Sequence, residues 1–179
     1  MASVFGHTIV GFTLSSLFNS KQNRLLLILA IVSTILPDAD VIAFSFGIPY
    51  SHSFGHRGFT HSILFAAIWA LLLMWFFGKK EKSVWFTVIF LSTISHGLLD
   101  AMTSGGKGIG FFIPFNNERY FFPFREIVVS PIGIKKFFSE WGLQVIFSEV
   151  KYIIIPCILI LLVRFLFQNS KKSIYISKT

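Results

Sequence analysis

Charge is what this chain has least of: 13% of its 179 residues are Asp, Glu, Lys or Arg, against 54% apolar ones. A chain of this size has no interior large enough to hide so much Phe, Ile and Leu, which excludes an ordinary water-soluble globular domain. Lipid is the missing solvent. Acidic residues are scarcer still, 8 against 16 Lys and Arg, for a net charge of +8. The excess does not point to nucleic acid, because the basic residues stand in ones and twos between apolar runs and form no continuous stripe. They read instead as signals of membrane topology. Cysteine is nearly absent. Cys157, inside an apolar run, excludes an internal disulfide and a thiolate zinc site within one chain, and reads as a buried, inert thiol. The opening MASVFGHTIVGF has neither a basic leader nor a small-residue cleavage pattern, so removal as a signal peptide is not expected.

Aromatic residues are abundant, with 23 Phe and 4 Trp, suited to helix interfaces and to the boundary of acyl chains and headgroups. Apolar segments run from Ser3 to Phe18, Leu25 to Leu36, Ser62 to Phe77, Val84 to Leu99 and Tyr152 to Phe167. Several fall short of the ~20 residues that cross a bilayer unaided, so tilt, local thinning or polar helix extensions are expected. The fold expected is all-α: an integral membrane protein with about 4–5 membrane-embedded helices and an irregular outer capping loop. A single helical domain covers 1–168, with 101–142 as its outer cap, and 169–179 forms a basic cytoplasmic tail. The Gly and Pro residues of 101–142 argue for irregular backbone, and its many Phe residues for a cap lying on the membrane surface.

Lys21 and Arg24, then Lys79, Lys80 and Lys82, then Lys171, Lys172 and Lys178 follow alternate apolar segments. If these are cytoplasmic, the segments alternate without contradiction. All five histidines and all three aspartates then converge on the non-cytoplasmic side.

His96 and Asp100, at i,i+4 on one helix face, are near enough to share a metal ion. The plainer reading, an Asp that orients the His or ends the helix, loses ground because ionisable groups at the end of a membrane segment are expensive. Pro37-Asp38-Ala39-Asp40 sits where an apolar helix must end, and its two carboxylates suit hard or borderline cations. In His56-Arg57-Gly58-Phe59-Thr60-His61-Ser62, Thr60 is the expected N-cap of the third segment, and Arg57 offers a fixed cation to an anionic oxygen. His56 and His61 remain alternatives as ligand, the other orienting a neighbour. His7 joins by its depth in the first segment, while His52 is left out. His7, Asp38, Asp40, His56, His61, His96 and Asp100 offer more ligands than one zinc needs, hence a two-metal expectation.

These motifs, together with Gly6-His7-Thr8, Leu36 before the Pro-Asp-Ala-Asp block, Ile113-Pro114-Phe115 and Arg119-Tyr120-Phe121-Phe122-Pro123, resemble the YdjM-like family of membrane-bound metal-dependent hydrolases. The resemblance implies a hydrolase of the bacterial inner or plasma membrane with a divalent metal site. Zinc is expected, as one or two ions, with manganese as the other candidate. The order of ligands is more distantly similar to zinc-dependent phospholipase C and the P1-type nucleases. Carried over, one metal takes Asp38 or Asp40, His56 or His61, His96 and Asp100, while Asp100 bridges to a second held with His7. Those enzymes place further histidines and a Glu after this point; here no histidine follows His96, and Arg57, Arg119 or Arg125 stands in to hold a phosphate. The expected activity is hydrolysis of a phosphoester in a lipid or lipid-linked substrate at the outer membrane face. Metal-activated water attacks, Asp40 takes or orients its proton and Arg57 steadies the oxyanion. The bilayer is the expected partner and nucleic acid is not. The competing reading is a metal-ion transporter or metal sensor built on the same cluster. It would need ionisable groups deep in the membrane, whereas Trp69 to Phe77 and Val84 to Leu91 carry none.

Overall fold

The computed structural model describes residues 1–19, 23–131 and 133–176; of the expected topology signals, Lys21 and Lys178 lie outside them. Among the described residues the fold is all-helical, with two isolated β-bridges and no strand. Three helical stretches are long and apolar enough to cross a membrane: Arg24–Phe46, Lys82–Ala101 and Glu140–Asn169. Val4–Phe18 and Ile63–Phe77 are shorter apolar helices, giving the five expected segments.

The first three α-helices start where the sequence can cap them. Ser3 accepts from the Gly6 N–H to open α1 (Val4–Phe18), and Asn23 accepts from Leu25 and Leu26 to open α2 (Arg24–Ile35). α3 (Ile63–Phe77) is capped by Ser62, which accepts from Phe65, and not by Thr60 as expected. The Thr60 hydroxyl is committed elsewhere, to Asp40 at 2.7 Å. The second segment also departs from expectation: it does not stop at Pro37. Proline removes one backbone donor and disfavours a continued α-helix, and the rod tightens into a 3-10 helix, Leu36–Phe46, that ends at Gly47 with φ 73°. Asp38 and Asp40 are thereby carried on ordered backbone.

α4 (Lys82–Ala101) is the centre of the bundle and packs on α1, α2 and α3. Its buried stripe, Trp85, Val88, Ile89, Ser92, Thr93, His96, Gly97 and Asp100, keeps helical period but changes from apolar to polar along its length. Leu26, Ala30, Ala70, Leu73, Trp85, Val88 and Ile89 form the apolar core at one end, and the histidines and aspartates occupy the other. The short α5 (Ile134–Phe137) and α6 (Glu140–Glu149) lead through a π-helical turn, Val150–Ile154, into α7 (Ile155–Ile176). Pro156 lacks the donor for a regular bond just after that turn, which accounts for the local change of pitch. The helix continues through the first part of the segment expected as a tail. Residues 102–131 are irregular, as expected, but more than a surface coat: Ile109, Phe111, Ile113 and Ile127 are buried, Ile109 and Phe111 in a cluster with Ala101 and Ile127 in one with Ala2.

Candidate metal centre

The N-terminal ends of α1 and α3, the C-terminal ends of α2 and α4, and the start of α7 meet at one end of the bundle, as alternation of the segments requires. Four donors converge there. Asp38, His61, His96 and Asp100 each offer an atom lying within 4.8 Å of the others, and Asp38, Asp40 and His56 form a second such group; all are buried.

The two central imidazoles are oriented from behind. His96 Nδ1 lies 2.7 Å from the Thr34 carbonyl, which can only accept, so Nδ1 carries the proton and Nε2 is left with a lone pair. His61 Nδ1 lies 3.2 Å from Asp40 Oδ2 and 3.1 Å from the Thr60 hydroxyl, again leaving Nε2 free. The two Nε2 atoms face each other at 3.0 Å. Around them, Asp38 Oδ1 is 3.3 Å from His96 Nε2 and 3.8 Å from His61 Nε2, and Asp100 Oδ2 is 3.9 Å from both. Asp38 Oδ1 and Asp100 Oδ2 have no hydrogen-bond partner although buried, and neither does any nitrogen of His7. His7 stacks on His96 with ring centroids 3.9 Å apart and sets Nε2 3.4 Å from Asp100 Oδ1. Burial opposes charge on His61, but the carboxylates of Asp38 and Asp40 beside its two nitrogens outweigh it and raise its pKa to about 9 in the metal-free protein.

Asp40 is the most heavily committed carboxylate. Oδ1 meets His56 Nδ1 at 2.6 Å, and Oδ2 accepts from the Arg57 N–H at 3.0 Å and from Thr60. Arg57 is the charged residue at the centre of this wall. It is 1% exposed and adopts φ 63°, a left-handed conformation that costs a non-glycine residue about 1–3 kcal/mol. Its Nε lies 3.2 Å from Asp100 Oδ2, while Nη1 and Nη2 donate to the Gly105 carbonyl and the Thr103 hydroxyl. Gly106, at φ 91°, is required by this approach, since a Cβ there would collide with Arg57 Nη1.

Not every expected residue joins the cluster. Arg119 donates to the carbonyls of His56, Tyr50 and His52, and Arg125 donates to the Thr103 carbonyl while lying 3.7 Å over the Phe121 ring. The structure makes both of them clips of the outer loop. His52 is exposed and bonded locally to Phe54, apart from the cluster. Sequence reading passed over two contributors. Ala2 N–H donates to Asp100 Oδ1 at 2.8 Å, and Glu149, 2% exposed, accepts from both the backbone and the hydroxyl of Ser3. An acid embedded in an apolar stretch was the signal available for Glu149.

A bundle of membrane-length helices that buries three aspartates and four histidines at one end is a helical membrane protein with a candidate metal centre. The chain belongs to the family described as YdjM inner membrane protein, whose pattern it matches over residues 1–173. It is also 42% identical over 144 residues to "Inner membrane protein YbcI" of Escherichia coli (strain K12), covering 76% of this chain and 80% of that relative. No solved structure matches it.

Proposed function

We propose that this protein is a metal-dependent hydrolase of the inner membrane, acting on a phosphoester of a lipid or lipid-linked substrate. The observation that carries the metal reading is the His61–His96 pair: two Nε2 atoms 3.0 Å apart on rings fixed from behind, facing two buried carboxylate oxygens that accept no hydrogen bond. Without a cation, such a set is an expensive way to fill a membrane interior. Two nitrogens and two oxygens fit zinc, with manganese an alternative. Asp38, His61, His96 and Asp100 would hold one ion; a second would draw on His7 beside Asp100, or on His56 and Asp40 beside Asp38. When bound, the metal supplies a Lewis acid that acidifies water and stabilises negative charge on the ester.

The chain's own groups do the rest. The Thr34 carbonyl and Asp40 orient the two imidazoles. With Asp40 occupied by three or more donors, proton handling at its oxygens would pass through His56 or His61. Arg57 holds an anionic oxygen beside Asp100, where burial strengthens its field. Resemblance to the family supports the hydrolase step, and alternation of the basic segments supports placing the site on the non-cytoplasmic side. Transport is disfavoured because Trp69 to Phe77 of α3 and Val84 to Leu91 of α4 hold no ionisable group.

Metal content per chain, measured on protein purified in detergent without chelator, tests this reading. One or two equivalents of zinc or manganese in the wild type, lost in a His96→Ala/Asp100→Ala variant, are expected. Metal-free wild type that takes up none on titration would remove it.

A further inference from the structure

Two cavities lie on either side of the Ser130–Pro131 segment, whose backbone is pinned by the Ser130 N–H donating to the Met1 carbonyl at 2.9 Å. One, of about 450 Å³, is walled by Val4, Phe5, Val41, Pro131, Phe137 and Phe138. Among the described residues, Asp38 is the only ionisable side chain on its wall. The other, of about 330 Å³, is lined by Tyr50, His56, Arg57 and Lys136. Both volumes fall in the ~300–1,000 Å³ range of small-molecule sites. Consecutive residues divide between them: Lys136 lines the cavity that holds Arg57, and Phe137 lines the groove. Each cavity reaches the metal centre, one through Asp38 and the other through His56.

We infer that the pair of cavities is a single binding site for an anionic amphiphile, with one apolar chain in the Phe5–Phe137–Phe138 groove and the anionic head between Arg57 and Lys136. Three observations select this occupant. Among the described residues, cationic side chains, Arg57 and Lys136, line the smaller cavity and none lines the groove, which is the charge pattern of a phospholipid and not of a free phosphate. Phe5 and Phe138, at the mouth of the groove, are 64% and 83% exposed, and such rings are at home at the lipid boundary. The groove is also built on the first turn of α1 and the 3-10 continuation of α2, so a chain can enter sideways from the bilayer without leaving apolar surroundings. The inference rests on the hydrolase reading only for what happens after binding; the site itself is argued from the cavities.

Native mass spectrometry of the detergent-solubilised, metal-loaded chain tests it, using a diacyl phosphatidate, the matching diacylglycerol and inorganic phosphate as probes, with bound metal counted in the same spectra. One phosphatidate per chain is expected, retained about tenfold more than diacylglycerol. Val4→Trp, which fills the groove from a half-exposed position, is expected to lower phosphatidate retention about tenfold with metal content unchanged. Lys136→Glu should do the same for phosphatidate and leave diacylglycerol unaffected. Equal retention of the two lipids, full retention in Val4→Trp, or displacement of phosphatidate by equimolar inorganic phosphate would each overturn the inference. Retention without any cleavage of bound lipid would leave the groove standing and count against the hydrolase. Cleavage that is indifferent to both variants would leave the hydrolase standing and remove the groove.

Discussion

The two ends of the bundle solve the same problem, ending apolar helices in a polar layer, by opposite means. At the basic end, neighbours in sequence satisfy each other: Asn19 Nδ2 donates to the Asn23 carbonyl at 2.8 Å and Asn23 N–H to Asn19 Oδ1 at 2.9 Å. Lys79 and Lys80 stand exposed, and the core of Leu26, Leu73 and Trp85 supplies the packing. At the acidic end the partners are remote, Ala2 with Asp100, Ser3 with Glu149, Arg57 with Asp100, His96 with Thr34, and nearly all are buried. The first end would suit any membrane protein. The second withdraws several charges from water and still leaves acceptors unpaired, which makes sense only if something binds there.

The largest effect should come from breaking the acidic end at its most connected atom. Asp100→Leu leaves Arg57 buried without its counter-charge, and should cost about 3–5 kcal/mol in denaturant unfolding while abolishing metal uptake. Chelation probes the same end without mutation. Stripping metal from the wild type should lower its melting temperature, by about 3–4 kcal/mol of linkage when the ion had been held at 100–1,000 times its Kd. The His96→Ala/Asp100→Ala variant should show no such change.

Acidity divides the two ends again. In the metal-free chain His61 has a pKa raised from 6.5 to about 9. Its charge therefore contributes stability that is fully present below about pH 6.5 and is lost as the pH rises through about 9. Metal needs the neutral ring, so apparent metal affinity should climb about tenfold per unit between those limits, as read by competition with a chromophoric chelator. A flat profile would place His61 outside the centre. Arg119→Ala should act on neither end directly: losing three carbonyl contacts, it should speed proteolysis within 101–133 and leave metal content intact. The smallest effect belongs to the basic end, where Asn19→Ala should cost about 1 kcal/mol in thermal unfolding, with unchanged metal uptake.

The contrast also explains what could be read from residues alone. Helix number, the all-α class and the gathering of His and Asp at one end follow from apolar runs, basic punctuation and alternation, which are local or additive signals. The resemblance of the His56–Ser62 and Ser95–Asp100 blocks to the YdjM-like family pointed to the family that the chain belongs to. Less legible was how each residue is used. Pro37 looked like a stop because proline ends α-helices, yet a 3-10 continuation satisfies it. Thr60 looked like a cap, and Ser62 caps instead because Asp40 claims the Thr60 hydroxyl across twenty residues of chain. Arg119 and Arg125 looked available for phosphate, but backbone carbonyls of a folded loop, which carry no trace in residue identity, engage them. Glu149 takes its hydrogen bonds from Ser3, 146 positions away in the chain.

That last pairing bears on how the molecule is made. Membrane helices enter the bilayer one by one and associate afterwards. Ser3 and Glu149 are separated by 146 positions, and Ala2 and Asp100 by 98. The segment that leans on Asp100 is thus steadied by a helix made after all four that carry the candidate ligands. A nascent chain carrying α1 to α4 already holds every candidate ligand, yet its first residues have no Glu149 to fasten them. Final shaping of the candidate metal centre in this way waits for α6, the helix that brings Glu149 to Ser3.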